Sequence, residues 1–105
     1  MPIYTDVTDR RVIAKTPEEV RPIQFEFGTR ICKDEEVLTA VCTLESGAGL
    51  TTADLPFETK AAWGKVSGGT AGTTYVIRAT ITTMIGSNPT GYTYTLNRII
   101  QVADI

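Results

Sequence analysis

The chain has 105 residues, a net charge of −2 at pH 7 and a hydrophobic fraction of 42%. This length leaves room for one domain with one hydrophobic core, and the hydrophobic fraction excludes general disorder. No apolar run approaches the roughly 18 residues that span a bilayer, so we expect no membrane partner. The basic residues are scattered along the chain, so we expect no nucleic-acid partner. The N-terminal MPIYTDVTDRR lacks the cationic start and apolar stretch of a signal peptide, which favours assembly in a cytoplasm.

The composition is dominated by β-branched residues. Val, Ile and Thr supply 36 of the 105 residues, and 18 of these are Thr. Such side chains lose χ1 freedom in helices but fit a pleated, half-buried sheet. The composition therefore predicts an all-β domain with half-exposed sheets.

The first part of the chain predicts an arm followed by a turn. Two short β-like stretches, 3–7 and 11–14, indicate an N-terminal arm or an edge strand over residues 1–15. Residues 16–19, Thr-Pro-Glu-Glu, fit one helical turn closed by a capping box. We place the sandwich domain over residues 16–105.

The middle of the chain alternates between apolar and polar residues. Residues 23–27 predict one strand, and residues 37–45 predict the next, with Leu38 and Cys42 on its apolar face. Residues 60–67 predict a further strand with Trp63 near its middle. Between these strands, Lys33-Asp34-Glu35-Glu36 fits a solvated polar turn, and the loop Leu55-Pro56-Phe57 is expected to plug one end of the core.

The last third of the chain has the clearest pattern. A glycine-rich corner over 68–72 precedes a strand over 74–83, and a loop over 85–91 precedes the final strand over 92–102. Arg98 falls in the inward phase of that strand, so we expect a bulge at Asn97-Arg98 to redirect it.

Six or seven short strands at this spacing predict an immunoglobulin-like, fibronectin-III-like antiparallel β-sandwich. The residues that share the inward phase form the expected core: Phe25, Leu38, Leu44, Trp63, Tyr75, Ile77, Ile81, Leu96 and Ile100.

Catalytic chemistry is poorly represented. The chain has no histidine, which excludes histidine general bases and imidazole metal sites. Cys32 and Cys42 do not make a zinc site, and we expect reduced thiols, with a Cys32–Cys42 disulfide as the alternative. The acidic turn lacks the spacing of a calcium loop, and GGTAGTT lacks the Lys-Ser/Thr ending of a phosphate loop. We expect no catalytic, metal or cofactor site and no enzyme activity.

The stretch from Gly69 to Arg78, GTAGTTYVIR, resembles the corner of fibronectin-III and immunoglobulin-like domains, where a tyrosine hydroxyl bonds back to the corner backbone. Gly69, Gly72 and Tyr75 are the matching corner residues. The longer stretch SGGTAGTTYVIRATITTMIGSNPTGYTYTLNRIIQV is similar to the phage fiber-tail adaptor proteins, and the resemblance extends over roughly residues 12–102.

This resemblance implies a bacteriophage virion component that links tail or neck to fibers, present in several copies around a symmetry axis. Its partners would be other virion proteins, and the expected assembly contacts lie in the arm and in the loop near residue 85: Ile3, Tyr4, Val7, Met84, Ile85 and Pro89. The alternative is a stand-alone immunoglobulin-like module that binds carbohydrate or a surface protein. Such modules display aromatic residues on one face, whereas Trp63 and the tyrosines mostly fall in core phases.

Overall fold

The computed structural model describes residues 8–103, which contain seven strands joined by turns and loops. The strand bounds are β1 Thr8–Lys15, β2 Arg21–Glu26, β3 Glu35–Ser46, β4 Leu50–Leu55, β5 Ala61–Gly68, β6 Thr74–Ile85 and β7 Asn88–Val102. Residues 16–19 form a turn and not the expected helical turn, with Glu19 N donating to Thr16 O at 3.2 Å. The contact that the capping box predicts between Glu19 and Thr16 is confirmed, because Thr16 N donates to Glu19 Oε1 at 2.7 Å.

The strands form two sheets, one of four strands in the order β1-β7-β6-β3 and one of three in the order β2-β5-β4. An all-β, two-sheet architecture is therefore confirmed. The expectation of a wholly antiparallel sandwich is wrong at one edge, because β1 pairs with β7 in parallel. A parallel pair needs a long connection between its strands, and here the whole domain separates the first strand from the last.

The core lies between the two sheets. Its largest fully buried apolar side chains are Ile23, Phe25, Phe27, Val37, Val66, Tyr75, Ile77, Ile81, Ile100 and Val102. Most of the expected core residues are confirmed, since Phe25, Tyr75, Ile77, Ile81, Leu96 and Ile100 are all buried and Leu44 packs half-buried against them.

Trp63 is a correction to the expected core. In β5 the inward positions are Ala62, Gly64 and Val66, so Trp63 lies on the outer face, where its Nε1 donates to Glu58 Oε1 at 2.7 Å. The inward residues are small because β5 runs close to β3: a Cβ at Gly64 would lie 2.5 Å from Cys42 Sγ.

Leu38 is a second correction. The register between β3 and β6 shifts between Val37 and Thr39, and such a bulge reverses the side-chain phase. Val37 is therefore the buried residue at this end of β3, and Leu38 is only half-buried. Phe57 also departs from expectation, because it is 43% exposed and does not plug the core.

Candidate assembly surfaces

At one end of the sandwich, Tyr75 links two turns. Its ring is fully buried, and its hydroxyl accepts a hydrogen bond from Thr70 N at 2.9 Å and donates one to Ala48 O at 2.8 Å. The hydrogen bond from Thr70 is the main reason that the pKa of Tyr75 is lowered. The bond to the β3–β4 turn at Ala48 is not visible in the sequence pattern, because that turn lies far away along the chain.

The corner itself depends on glycine. Gly69 and Gly72 have φ values of 99° and 81°, in the left-handed region that other residues rarely adopt. A Cβ at Gly69 would also lie 2.7 Å from Val102 Cγ2, and Gly72 N donates to Val102 O at 2.9 Å. The close approach of β7 therefore requires these residues.

Lys15 stabilises the same end, although a lysine near the end of a strand does not by itself predict this role. The residue is 1% exposed, and its Nζ donates to Gly68 O at 2.6 Å and to Thr16 O at 2.7 Å. Its only sequence signal is that it shares the phase of Ile13 in β1. The corner is thus a hydrogen-bonded structural feature that closes one end of the core.

Replacing Tyr75 with Phe is expected to destabilise the domain by about 1–2 kcal/mol, because Thr70 N and Ala48 O each lose a partner worth about 1 kcal/mol. Urea denaturation measures the change. Tyr92→Phe is the matched control, since Tyr92 is 46% exposed, and its midpoint should not move. An unchanged midpoint for Tyr75→Phe would show that the two bonds contribute nothing to stability.

The opposite end of the four-stranded sheet carries three of the expected assembly residues. The expected loop over 85–91 is wrong, because β6 continues to Ile85, β7 starts at Asn88, and only Gly86-Ser87 lies between them. Met84 pairs with Pro89 across this hairpin, and Ile85 is 45% exposed. The hairpin therefore presents an apolar tip. The other expected residues, Ile3, Tyr4 and Val7, lie outside the described part of the chain.

Glu35 supports the sheet behind this tip, and the expected solvated turn is wrong at this residue. Its side chain is 1% exposed and accepts hydrogen bonds from Thr83 Oγ1, from Cys32 N at 3.0 Å and from the Tyr94 hydroxyl at 3.3 Å. Burial acts to raise the pKa of this carboxyl, but the hydrogen bonds outweigh burial and hold the pKa below its ordinary value. Burial and the neighbouring carboxylate raise the pKa of Tyr94 to about 12.

Lys60 stabilises the turn before β3, next to Glu35. Its Nζ donates to Cys32 O at 2.8 Å, to Lys33 O at 2.9 Å and to Glu35 O. The turn before β3 is therefore held by hydrogen bonds from the Lys60 ammonium group on the outside and to the buried Glu35 carboxylate on the inside.

A basic groove is a feature that the sequence pattern does not reveal. Arg11, Arg30 and Arg98 line a groove of about 340 Å³ between β2 and the β1–β7 pair, together with Glu26. The expected bulge at Asn97-Arg98 is absent from the β6–β7 ladder; the register shifts instead in β1, between Asp9 and Val12. Arg98 thus keeps its inward phase and donates to Gln24 O at 2.6 Å.

Both cysteines are free thiols. Cys42 is buried, and burial, followed by the nearby Asp54 carboxylate, raises the pKa of its thiol to about 11. Within residues 8–103, no group of three or more Cys, Asp or Glu side chains could hold a metal ion. The same residues include no helix long and apolar enough to cross a membrane.

A family model described as "Podophage GP4 fiber-tail adaptor protein gp77" matches residues 15–95. The match runs from the end of β1 through β6 and into the middle of β7, so it includes the corner, the hairpin tip and Glu35. No curated protein and no solved structure matches the chain significantly.

Proposed function

Because the chain belongs to the podophage GP4 fiber-tail adaptor family, we propose that it is a non-enzymatic structural component of a bacteriophage virion that links tail or neck to fibers. The family match over residues 15–95 is the observation that carries this proposal. The protein acts by binding neighbouring tail, neck and fiber proteins. It is assembled into the particle in the cytoplasm of the bacterial host, in several copies around a symmetry axis, without nucleic acid or membrane as a partner.

The strand order supports an immunoglobulin-like architecture for this component. In constant-type immunoglobulin domains, strands B, E and D lie in one sheet and strands C, F and G in the other. Lettered in chain order, β2-β5-β4 corresponds to B-E-D and β7-β6-β3 to G-F-C. The first strand joins G instead of B.

We place one assembly contact at the hairpin tip formed by Met84, Ile85 and Pro89, together with Ile3, Tyr4 and Val7 of the N-terminal arm. The tip is apolar and partly exposed, and exposed apolar surface favours association. The buried hydrogen bonds of Glu35 hold the strands behind the tip, so the tip can be presented to a partner without a folding cost. Ile85 can be substituted to test this contact without disturbing the core, because its side chain is partly exposed.

Ile85→Asp is expected to leave the isolated domain folded, because the side chain is 45% exposed, but to reduce incorporation into particles by at least tenfold (about 1.4 kcal/mol or more). The assay supplies each variant to a phage that lacks the protein, and purified particles are then quantified. Val20→Asp is the control, since Val20 is 57% exposed and lies between β1 and β2. Normal incorporation of Ile85→Asp would show that the hairpin tip is not part of the interface. Absence of the wild-type chain from particles would refute the adaptor function itself.

A stand-alone binding module is the second candidate, and the outward position of Trp63 is the observation that favours it. Trp63 lies on the outer face of the three-stranded sheet, opposite Leu55 of β4. A bound sugar ring stacked on the indole would change its fluorescence. A shift in the Trp63 fluorescence of the wild-type protein on titration with glycans would support the binding-module function. An unchanged spectrum would argue against it and favour the adaptor function.

A further inference from the structure

An exposed phenylalanine lies at the same end of the sandwich as the hairpin tip. Ile85 of the tip pairs with Glu35 at the start of β3. The connection between β4 and β5 is fixed beside this point, because Val37 N donates to Thr59 O at 2.9 Å. Phe57 belongs to that connection and is 43% exposed. The loop and the hairpin therefore present apolar side chains at one end of the domain.

A bulge in β7 adds a tyrosine to this end. Thr82 pairs with Thr93 and Met84 pairs with Pro89, so one residue of β6 faces three residues of β7 between these pairs. The glycine before Tyr92 has a φ of 79°, which other residues rarely adopt. Bulges redirect side chains and are common beside functional sites. Tyr92 lies in this bulge and is 46% exposed.

Ile85, Phe57 and Tyr92 form what we call the apolar end. They are three of the six large hydrophobic side chains that are exposed within residues 8–103, and the other three lie on separate elements. Single exposed hydrophobic residues are normal, whereas a group of them marks an interaction site. A specific contact covers about 800 Å² on each partner and is centred on large, mostly aromatic side chains. The hairpin tip alone is too small for such a contact, so we extend it to the loop and the bulge.

Three carboxylates lie beside the apolar end, and we call them the acidic rim. Glu36 pairs with residue 84 of the hairpin. Glu58 directly follows Phe57, and Asp34 is exposed in the turn before β3. The same turn contains one exposed cation, Lys33. Three carboxylates and one ammonium group give this surface a net charge of −2.

The charge of the acidic rim is not neutralised inside the chain. Within residues 8–103, Asp34, Glu36 and Glu58 have no ion-pair partner. Glu58 accepts a hydrogen bond at 2.7 Å, but the donor is the neutral indole of Trp63. The Lys60 ammonium group donates to three backbone carbonyls of the turn, and the buried carboxylate at the start of β3 balances its charge. The rim is therefore available to cations of a partner.

We propose that the apolar end is the docking surface for a different virion protein, whose contact segment has apolar side chains flanked by Lys or Arg. The apolar side chains pack against Ile85, Phe57 and Tyr92, and the cations meet the acidic rim. The same end of a second copy is excluded as the occupant, because like charges that face each other across an interface repel. The inference deepens the contact proposed for the hairpin tip and rests on the adaptor function for the presence of such a partner.

The particle assay described for Ile85→Asp tests this surface. Phe57→Asp and Tyr92→Asp place a charge in the apolar end, and Glu36→Lys reverses a charge of the rim. Each variant should keep the melting temperature of wild type, because its side chain is at least partly exposed, but should be incorporated at least tenfold less. The matched controls are Val41→Asp, at a 48% exposed valine of β3, and Glu18→Lys, in the exposed turn between β1 and β2 at the other end. Both controls should be incorporated normally.

A photocrosslinker then identifies the occupant. Particles that contain Phe57→p-benzoylphenylalanine are irradiated and digested, and the crosslinked peptides are sequenced by mass spectrometry. The expected adduct is a peptide of a different virion protein in which Lys or Arg flanks apolar residues. Adducts only with a second copy of this chain, or only with peptides that lack cations, would overturn the proposal.

The incorporation data can overturn it separately. Normal incorporation of both Phe57→Asp and Tyr92→Asp would show that the contact does not extend beyond the hairpin tip. An equal loss with Val41→Asp would show that a charge anywhere on the surface has the same effect. In each of these cases wild type is still present in the particles, so the adaptor function would stand while the docking surface would fail.

Discussion

Truncation of Ile77 to Ala is expected to lower the free energy of unfolding by about 2–5 kcal/mol, the usual cost of removing a large buried aliphatic side chain. Ile77 is fully buried near the middle of β6, a strand that pairs with β3 on one side and β7 on the other. Its register partners are Leu44 and Arg98. The truncation would leave a cavity that neighbouring residues surround. Because β6 is paired on both sides, the strand cannot move inward to fill that cavity.

Urea denaturation at neutral pH measures this change, and Ile85→Ala is the matched control. Both are isoleucines of β6, but Ile85 is 45% exposed, so its truncation should change stability by less than about 0.5 kcal/mol. Similar costs for the two variants, or a cost below about 0.5 kcal/mol for Ile77→Ala, would contradict the assignment of the inward face of β6.

Replacement of Glu35 by Ala is expected to cost about 2–4 kcal/mol, because Cys32 N and Thr83 Oγ1 both lose their buried acceptor. The neighbouring Glu36→Ala is the control, since the Glu36 side chain is only half-buried and its loss should change stability by less than about 0.5 kcal/mol. Equal effects at the two positions, measured by urea denaturation, would contradict the buried network.

The same carboxyl makes stability depend on pH. Because the pKa of Glu35 is lower in the folded state than in the unfolded chain, its contribution is complete above the unfolded value of about 4.3. The contribution is lost as the pH falls through the folded pKa, where the carboxylate takes up a proton and becomes a poorer acceptor. Glu35→Gln should therefore flatten the loss of melting temperature below about pH 4 relative to wild type. Parallel pH profiles for the two proteins would show that Glu35 is not the titrating group.

Several features could be predicted from the sequence because they depend on local chemistry. β-branched residues in period two indicate strands wherever one face is buried, and so the two-sheet architecture and most of the core follow from the pattern. The glycines before Tyr75 similarly indicate a tight corner, because few residues other than glycine adopt the required φ. The stretch around that corner also carried the resemblance to the family that the chain matches.

Other features depended on contacts between distant parts of the chain. Period two shows that Trp63 and Ala62 face opposite sides of β5, but only the approach of Cys42 to Gly64 decides that the smaller residues face inward. Glu35 lies in a polar run that is typical of a solvated turn, and it is buried because Thr83 and Tyr94 supply hydrogen bonds from β6 and β7.

The candidate surfaces show the same division. Apolar residues near position 85 were visible in the sequence, because an exposed Met-Ile pair is unusual in a short polar connection. The basic groove was not visible, since Arg11, Arg30 and Arg98 lie far apart in the sequence and only the pairing of β1 with β7, beside β2, brings them together. Backbone preferences are local and can be inferred residue by residue. The positions of charged side chains relative to one another are instead set by strand pairing and sheet packing. The basic groove was therefore decided by the tertiary structure.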